Sequence, residues 1–391
     1  MTERRKQQTP HSITPSTFRA SLFWLQLATG KYTVRGPLAQ LAEQRTFNPW
    51  VVGSSPTGPT SRTEKTDQLM TPVDSSGTVF FIHRGLLQPY VRASILQAHQ
   101  ADSDSSIIVL GDQRGDSLPP EIRSVVGYEL LDDYSDRADG FAQIFRFEGN
   151  NGFDYELLNF QRWFYVQSFC KAHSLTGPFL VLDSDAYLYQ AIGAVAPHLS
   201  TPMTVVDSVG PQFTFFLTTK ALADFTDFLT ESFRTENGFE SLKDFVRESN
   251  DAGVPHVSDM AAFGVYARSR SLEDLGAAER DDVIFCENIG SPQGLVMGPL
   301  GKKVTTRQGR RYFTKQNGRR VLAGGVHLQG GNKDLWPYFV DTSVKRTLAQ
   351  HSPRDYADAR RKARQKAFRI GLLKTSARVR TLLTRWSTKN R

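Results

Sequence analysis

The sequence predicts an α/β domain whose mixed sheet is flanked by helices and followed by a basic helical tail. β-branched and aromatic runs alternate with helical apolar spacing from residue 78 onward. A strand-helix-strand order of that kind implies parallel pairing. A third observation gives the sheet a working end: Phe179-Leu-Val-Leu-Asp-Ser-Asp185 is an apolar run that finishes on two carboxylates one residue apart.

Taken in order, residues 78–83 (TVFFIH) read as a short strand, residues 86–98 carry helical apolar spacing, and residues 105–112 form a second strand. Residues 153–173 predict an aromatic-rich amphipathic helix, with Phe153, Leu157, Phe160, Trp163, Phe164, Val166 and Phe169 as its apolar positions. It leads directly into the strand that ends at Asp183 and Asp185. Residues 204–207 and 213–217 read as further strands, and residues 221–233 as a helix built on Leu222, Phe225, Phe228 and Leu229. Residues 307–321 read as a hairpin that turns at Asn317-Gly318, a dipeptide favouring a type I′ turn, and that presents several arginines near His327.

The paired carboxylates carry the chemistry. In open α/β sheets ligands bind at the carboxyl ends of the strands. A divalent cation held there by one or two carboxylates keeps positions open for phosphate oxygens, so a diphosphate is the expected guest. Solvated turn residues capping a strand end would look the same in isolation. A second motif, His327-Leu-Gln-Gly-Gly-Asn-Lys333, adds weight. Together the two motifs resemble the GT-A glycosyltransferases, Rossmann-like nucleotide-diphospho-sugar transferases, and within them the glycogenin-like and lipopolysaccharide-galactosyltransferase-like family eight. The resemblance implies that Asp183, Asp185 and His327 bind Mn2+ or Mg2+ and that Gly330 and Lys333 contact the donor diphosphate. It implies a sugar moved from a nucleotide-sugar donor to a glycan or lipid-linked acceptor, in cell-surface polysaccharide synthesis. The motif departs from the family after Lys333, running into Asp334-Leu-Trp336-Pro337 where Lys-Pro-Trp is usual. The element order that matches spans roughly residues 77–340, within an expected domain of 70–340.

Other candidates carry two readings each. Arg162 either reaches the donor or pairs with a carboxylate such as Glu156. His83 and Asp112, at the ends of the first two strands, either hold the nucleotide or cap turns. Asp259 is the candidate catalytic base on the acceptor side for an inverting transfer, whereas the family-eight resemblance leans toward retention, which would leave no dedicated base; Ser258 as an N-cap followed by a first-turn Asp accounts for the same residues without chemistry. His327 by itself fits a histidine with one hydrogen bond. Two other functions are weighed against transfer. A haloacid-dehalogenase-like phosphotransferase also uses Asp-x-Asp after an apolar strand, but it opens its domain with that strand and has Thr or Val where Tyr187 stands. A glycosyltransferase-like scaffold that only binds sugar is the non-enzymatic alternative.

Charge is unevenly spread. The chain carries a net +8; residues 354–391 hold +11 and residues 1–69 hold +5, which leaves −8 on residues 70–353. The basic residues of the tail interleave with Phe368, Ile370, Leu372, Leu373, Val379, Leu382, Leu383 and Trp386, which suits a helix on an anionic membrane surface. A solvated basic helix covering the domain is the plainer account. No recognition fold accompanies the charge, so nucleic acid is not an expected partner. Residues 341–391 are thus read as the tail. Two scattered cysteines point to a reducing compartment with buried thiols. With no apolar run of spanning length, the expectation is a cytoplasmic protein, peripheral on the inner face of the membrane.

Residues 35–60 resemble a translated transfer-RNA gene. Gly53-Ser-Ser-Pro56 can be encoded by GGT TCG AGT CCG, the T-arm sequence, and Leu38-Ala-Gln40 by TTA GCT CAG, the D-arm. Gly36-Pro37 and Gly58-Pro59 allow a pairing acceptor stem, and Thr46-Phe-Asn48 allows a TTT anticodon. Residues 1–69 are therefore expected to be a leader without a fold, with the true start at Met70; a genuine Pro/Ser/Gly-rich disordered segment is the other reading.

Overall fold

The computed structural model describes residues 77–249, 256–277, 280 and 282–389. The leader, its transfer-RNA-like stretch and Met70 lie outside the described residues. The compact unit that holds the candidate site lies within Pro56–Gly371.

Strand β1 (Thr78–His83) leads through helix α1 (Pro89–Ala101) to β2 (Ser106–Gly111) and on to β3 (Gly127–Leu130). Helix α2 (Phe153–Ala172) then feeds β4 (Phe179–Leu182). After β5 (Ala186–Leu188) and the short β6 (Thr204–Val205) comes β7 (Phe213–Phe216). The first sheet has the order β3-β2-β1-β4-β7, parallel except for β7, which runs antiparallel to β4. Parallel strands covered on both faces need continuous apolar runs, and FLVL of β4 is buried throughout. Alternate residues serve two cores: Val79, Phe81, Leu180 and Leu182 pack with α1, while Phe80, Phe179 and Val181 pack with Trp163, Phe164 and Phe169 of α2. Helix α1 begins three residues later than its apolar spacing suggests, because Pro89 is pre-set for the first helical turn.

Helices α3 (Thr219–Arg234), α4 (Glu236–Glu248) and α5 (Asp259–Ser269) follow, then β8 (Glu273–Asp274) and β9 (Val283–Cys286). Thr218 caps α3 by accepting from the Ala221 amide at 3.3 Å. A small ribbon of β10 (Met297–Gly298) and β11 (Gly301–Lys302) precedes β12 (Val304–Arg307), β13 (Arg310–Thr314) and β14 (Arg320–His327). The second sheet runs β12-β13-β14-β5, with β9 parallel to β14.

The hairpin at Asn317-Gly318 forms, but not as a type I′ turn. Only Gly318 has positive φ (83°), within a loop closed by the Lys315 amide on the Arg319 carbonyl at 2.8 Å. Two positive φ values in succession occur instead at Gln308 (50°) and Gly309 (76°), between the paired Arg307 and Arg310. That is where the right-handed strand twist is matched by a two-residue turn. Nor does the hairpin bring its arginines to His327. Arg320 starts the strand that His327 ends, about 23 Å away at 3.3 Å per residue. Arg311 is spent on Asp341 at 2.6 Å, and Arg307 and Arg310 are exposed.

The C-terminal segment is partly integrated into the domain. Helix α6 (Thr342–His351) buries Val344 and Leu348. Helix α7 (Pro353–Lys389) starts against the domain, with Asp355 on Arg92 at 2.5 Å, Tyr356 beside Trp336, and Ala359 and Ala363 buried. Phe368, Leu372 and Leu373 are exposed. Among the described residues no helix is long and apolar enough to cross a membrane.

Strand β14 passes close to its neighbours in the core. A Cβ on Gly325 would lie 2.5 Å from the Phe213 ring and 2.9 Å from the Tyr187 carbonyl, while one on Gly193 would meet nothing within 4 Å. Gly325→Ala should therefore cost about 1–3 kcal/mol in denaturant unfolding through overpacking. Gly193→Ala, in an open helical position, should be neutral or gain up to about 1 kcal/mol.

Candidate functional site

The site lies where the chain passes from the first sheet to the second. β4 ends at Leu182, the Asp183 amide donates to the Gln212 carbonyl at 3.2 Å, and the Ala186 amide donates back to the Asp183 carbonyl at 3.0 Å. The resulting turn delivers β5 to β14, with His327 opposite Ala186 and the Leu328 amide on the Asp185 carbonyl at 3.0 Å. This pairing brings two motifs far apart in sequence into one place. Ligand atoms of Asp183, Asp185 and His327 all lie within 4.8 Å of one another.

Each member is held by defined contacts. The His327 Nδ1–H donates to the Glu287 carbonyl at 2.6 Å, which leaves Nε2 facing Asp185 Oδ1 at 3.2 Å. Lys333 places Nζ 3.2 Å from Asp185 Oδ2 and 5.1 Å from the Tyr90 ring centre. It is carried by a 3-10 segment, Gly330–Tyr338, that Gly330 opens with φ +57°. Burial works against ionisation of Asp185, yet the Lys333 and His327 charges overcome it and hold the carboxyl well below its usual range. Burial likewise opposes charge on His327, and Asp185 reverses that, raising the imidazole to about 9. Lys333 is raised in the same way by Asp185 against its own desolvation.

Arg162 does not pair with Glu156. Its guanidinium joins Asp183 through Nη1 and Asp259 through Nη2, the latter at 2.5 Å, and stacks 4.6 Å from the Trp163 ring. Glu156 is taken by His256 at 2.8 Å. The arginine thus ties a candidate metal ligand to the candidate base. Ser258 occupies the N-cap position of α5 without a side-chain cap bond, and Asp259 beside it is only 4% exposed. Burial pushes the Asp259 carboxyl up to about 6, with Arg162 pulling against it and Asp183 and Glu156 adding to it.

His83 and Asp112 sit at the strand ends as expected, engaged in turn contacts. His83 Nε2 lies 3.2 Å from the Leu86 carbonyl, and Asp112 Oδ1 accepts from the Gly85 amide at 2.7 Å. Burial lowers the His83 pKa, with Lys333 among the charges acting on it. Two tyrosines were not singled out from sequence. Tyr90 lies under Lys333. Tyr155, though exposed, lies within the fields of Lys333, Asp185 and Asp183. Tyr155 is seven residues before Arg162 on one helix face, a spacing that could have flagged it.

Two carboxylates and an imidazole form a donor set that would accept a divalent cation. The Glu287 carbonyl on Nδ1 fixes the tautomer that presents Nε2, the usual outer support of a metal-binding histidine. The dehalogenase-like alternative fails on architecture: three strands precede β4, and Tyr187 is fully buried in β5.

No protein-family model matches the sequence, and no curated protein matches it. Among solved structures, mouse xyloside xylosyltransferase 1 aligns over 53% of this chain and 87% of its own at 8% identity, with a TM-score of 0.37. The galactosyltransferase LgtC, in complex with donor and acceptor sugar analogues, aligns over 48% and 70% at 12% identity and a TM-score of 0.28. The glycosyltransferase GlyE of Streptococcus pneumoniae aligns over 51% and 45% at 12% identity and a TM-score of 0.27. At these TM-scores the likenesses carry no argument about activity.

The raised His327 pKa has a thermodynamic consequence. Its folded value of about 9 lies above the ordinary 6.5, so the ion pair with Asp185 contributes fully below pH 6.5 and is lost as pH rises through about 9. Urea midpoints of the metal-free protein should fall across that window. His327→Gln should flatten the decline; an unchanged slope in the variant would contradict the assignment.

Proposed function

We propose that this chain is a GT-A glycosyltransferase that uses a divalent metal to transfer a sugar, of hexose type, from a nucleotide-diphosphate donor to a glycan or lipid-linked acceptor. The observation that carries the reading is the meeting of Asp183, Asp185 and His327 within 4.8 Å at the carboxyl end of β4, with Lys333 against Asp185. The two motifs resembling family eight, and the mixed sheet they sit on, support it.

Asp183, Asp185 and His327 would hold Mn2+ or Mg2+, which when bound neutralises charge on the leaving diphosphate. Lys333 balances Asp185 in the free protein and would face diphosphate oxygens in the complex. The positive-φ Gly330 lets the Lys333 segment turn sharply beside that position. His83 and Asp112 line the nucleotide end of the crevice. Arg162 keeps Asp183 and Asp259 in fixed relation on the sugar side. Asp259, ionised above a pKa of about 6, would take the acceptor proton in an inverting transfer. The basic residues of 354–391, with exposed Phe368, Leu372 and Leu373, fit an anionic membrane surface where lipid-linked acceptors reside.

Calorimetry of the protein with nucleoside diphosphates and nucleotide-sugars should give Mn2+-dependent binding to one nucleotide, and Asp185→Ala should abolish it. An Asp259→Asn variant should keep that binding while transfer or donor hydrolysis falls by about 100-fold or more, the usual scale for a positioned base. Failure of every nucleotide to bind the parent protein would refute the reading. Separately, removing residues 364–391, which carry Phe368, Leu372, Leu373 and nine of the thirteen basic residues of the segment, should abolish cosedimentation with anionic vesicles; persistence of binding would exclude that segment as the contact.

A further inference from the structure

Burying an ammonium is costly unless all its protons are satisfied. Lys302, in β11, is 2% exposed. Its Nζ donates to Cys286 Sγ at 3.2 Å, to the Asn288 carbonyl at 2.5 Å and to Gln293 Oε1. Three N–H donors thus meet three acceptors. Two of the acceptors, Cys286 and Asn288, flank Glu287, whose carbonyl receives the His327 Nδ1–H. Backbone bonds close the same circuit. The Lys302 amide donates to the Ile289 carbonyl at 2.8 Å, and the Ile289 amide donates to the His327 carbonyl at 3.1 Å.

Residue 301 shows that this approach is built in. Gly301 has φ +123°, and a Cβ there would stand 2.4 Å from the Ile289 carbonyl oxygen. Any other residue would push β11 away from the turn and lift Lys302 out of it. An apolar side chain would fill the same space with no desolvation cost, so what the lysine adds is a fixed geometry for residues 286–289.

We propose that Lys302 is a positioning residue for the metal-binding imidazole: its buried ammonium locks the turn at 286–289, so that the Glu287 carbonyl holds His327 with Nε2 toward Asp183 and Asp185. This rests on the metal reading above. A ring freed from the Glu287 carbonyl would sample rotations that misdirect Nε2, and metal would pay for reordering it. Partners that orient a ligating histidine typically contribute about 10–100-fold in metal affinity, and a brace one bond further out should contribute about tenfold.

The test uses the full chain and two readouts. Mn2+ affinity is measured by the loss of the free-ion electron paramagnetic resonance signal, without nucleotide. The His327 Nδ1–H is followed in 15N-histidine-labelled protein as a downfield, slowly exchanging proton, assigned by its loss in His327→Gln. Lys302→Met should weaken Mn2+ binding about tenfold and speed exchange of that proton, with unfolding still cooperative. Lys302→Gln, which can keep one bond to the turn, should show a smaller loss of both and serves if Lys302→Met does not fold. A folded variant of either kind with parental Mn2+ affinity, or with an unchanged Nδ1–H signal, overturns the proposal. A parent protein that binds no Mn2+, but whose Nδ1–H signal responds to Lys302 substitution, sinks the metal reading and leaves the bracing role intact.

Discussion

Two carboxylates crowded at one buried strand end must be neutralised, and much of the structure around Asp183 and Asp185 follows from that requirement. Asp185 is balanced by Lys333 and His327, both from the far end of the second sheet. Asp183 is balanced by Arg162 from the helix that precedes it. Each cation comes from a different element, so α2, the turn after β4, and the end of β14 are fixed relative to one another by charge as well as by packing. Removing one carboxylate would leave a buried cation, which is generally more damaging than losing the pair together. Under the proposed function, the cations that balance carboxylates in the free protein are those a diphosphate and its metal would meet.

How the second sheet reaches the first is a matter of register. β5 is only three residues long, yet it pairs β14 so that Ala186 faces His327. Shifting that pairing by one residue would turn the imidazole to the other face. Gly325, pressed between Phe213 and the Tyr187 carbonyl, leaves room for the pairing. A packing detail in the core thus fixes the position of a candidate ligand several ångströms away.

Much of this was legible in the sequence. β1 was read to the residue, and α2, β4 and β7 to within one or two, because continuous apolar runs and helical periodicity leave little ambiguity. The carboxylates and His327 were legible from local motifs. Arg162 was legible as a site residue but not in its partners: nothing in a one-dimensional pattern says that Asp259 approaches it, since α5 is brought there by packing of Phe263 against Trp163 and Phe225. Glu156 was the nearer guess in sequence and lost to His256 for the same tertiary reason. β9, β5 and β3 are only three or four residues long, too short to show a period of their own. The hairpins illustrate the limit of dipeptide rules: Asn317-Gly318 marks a real reversal between β13 and β14, but the two-residue turn with successive positive φ is at Gln308-Gly309, between β12 and β13. Lys302 carried no signal at all. One of two adjacent lysines after a glycine- and proline-rich stretch looks solvent-exposed until the backbone around Gly301 is known.

The two cysteines have a practical meaning. Both are free and buried, Cys170 with its thiol pushed up to about 12 by burial and Cys286 raised likewise. Thiolate is the reactive form, so in the folded chain neither offers alkylating reagents much to attack. The native background to maleimide chemistry is therefore silent, and a cysteine introduced at an exposed position would carry a fluorophore alone. Read in reverse, the rate at which the two native thiols become alkylated reports how often the cores around α2 and β9 open.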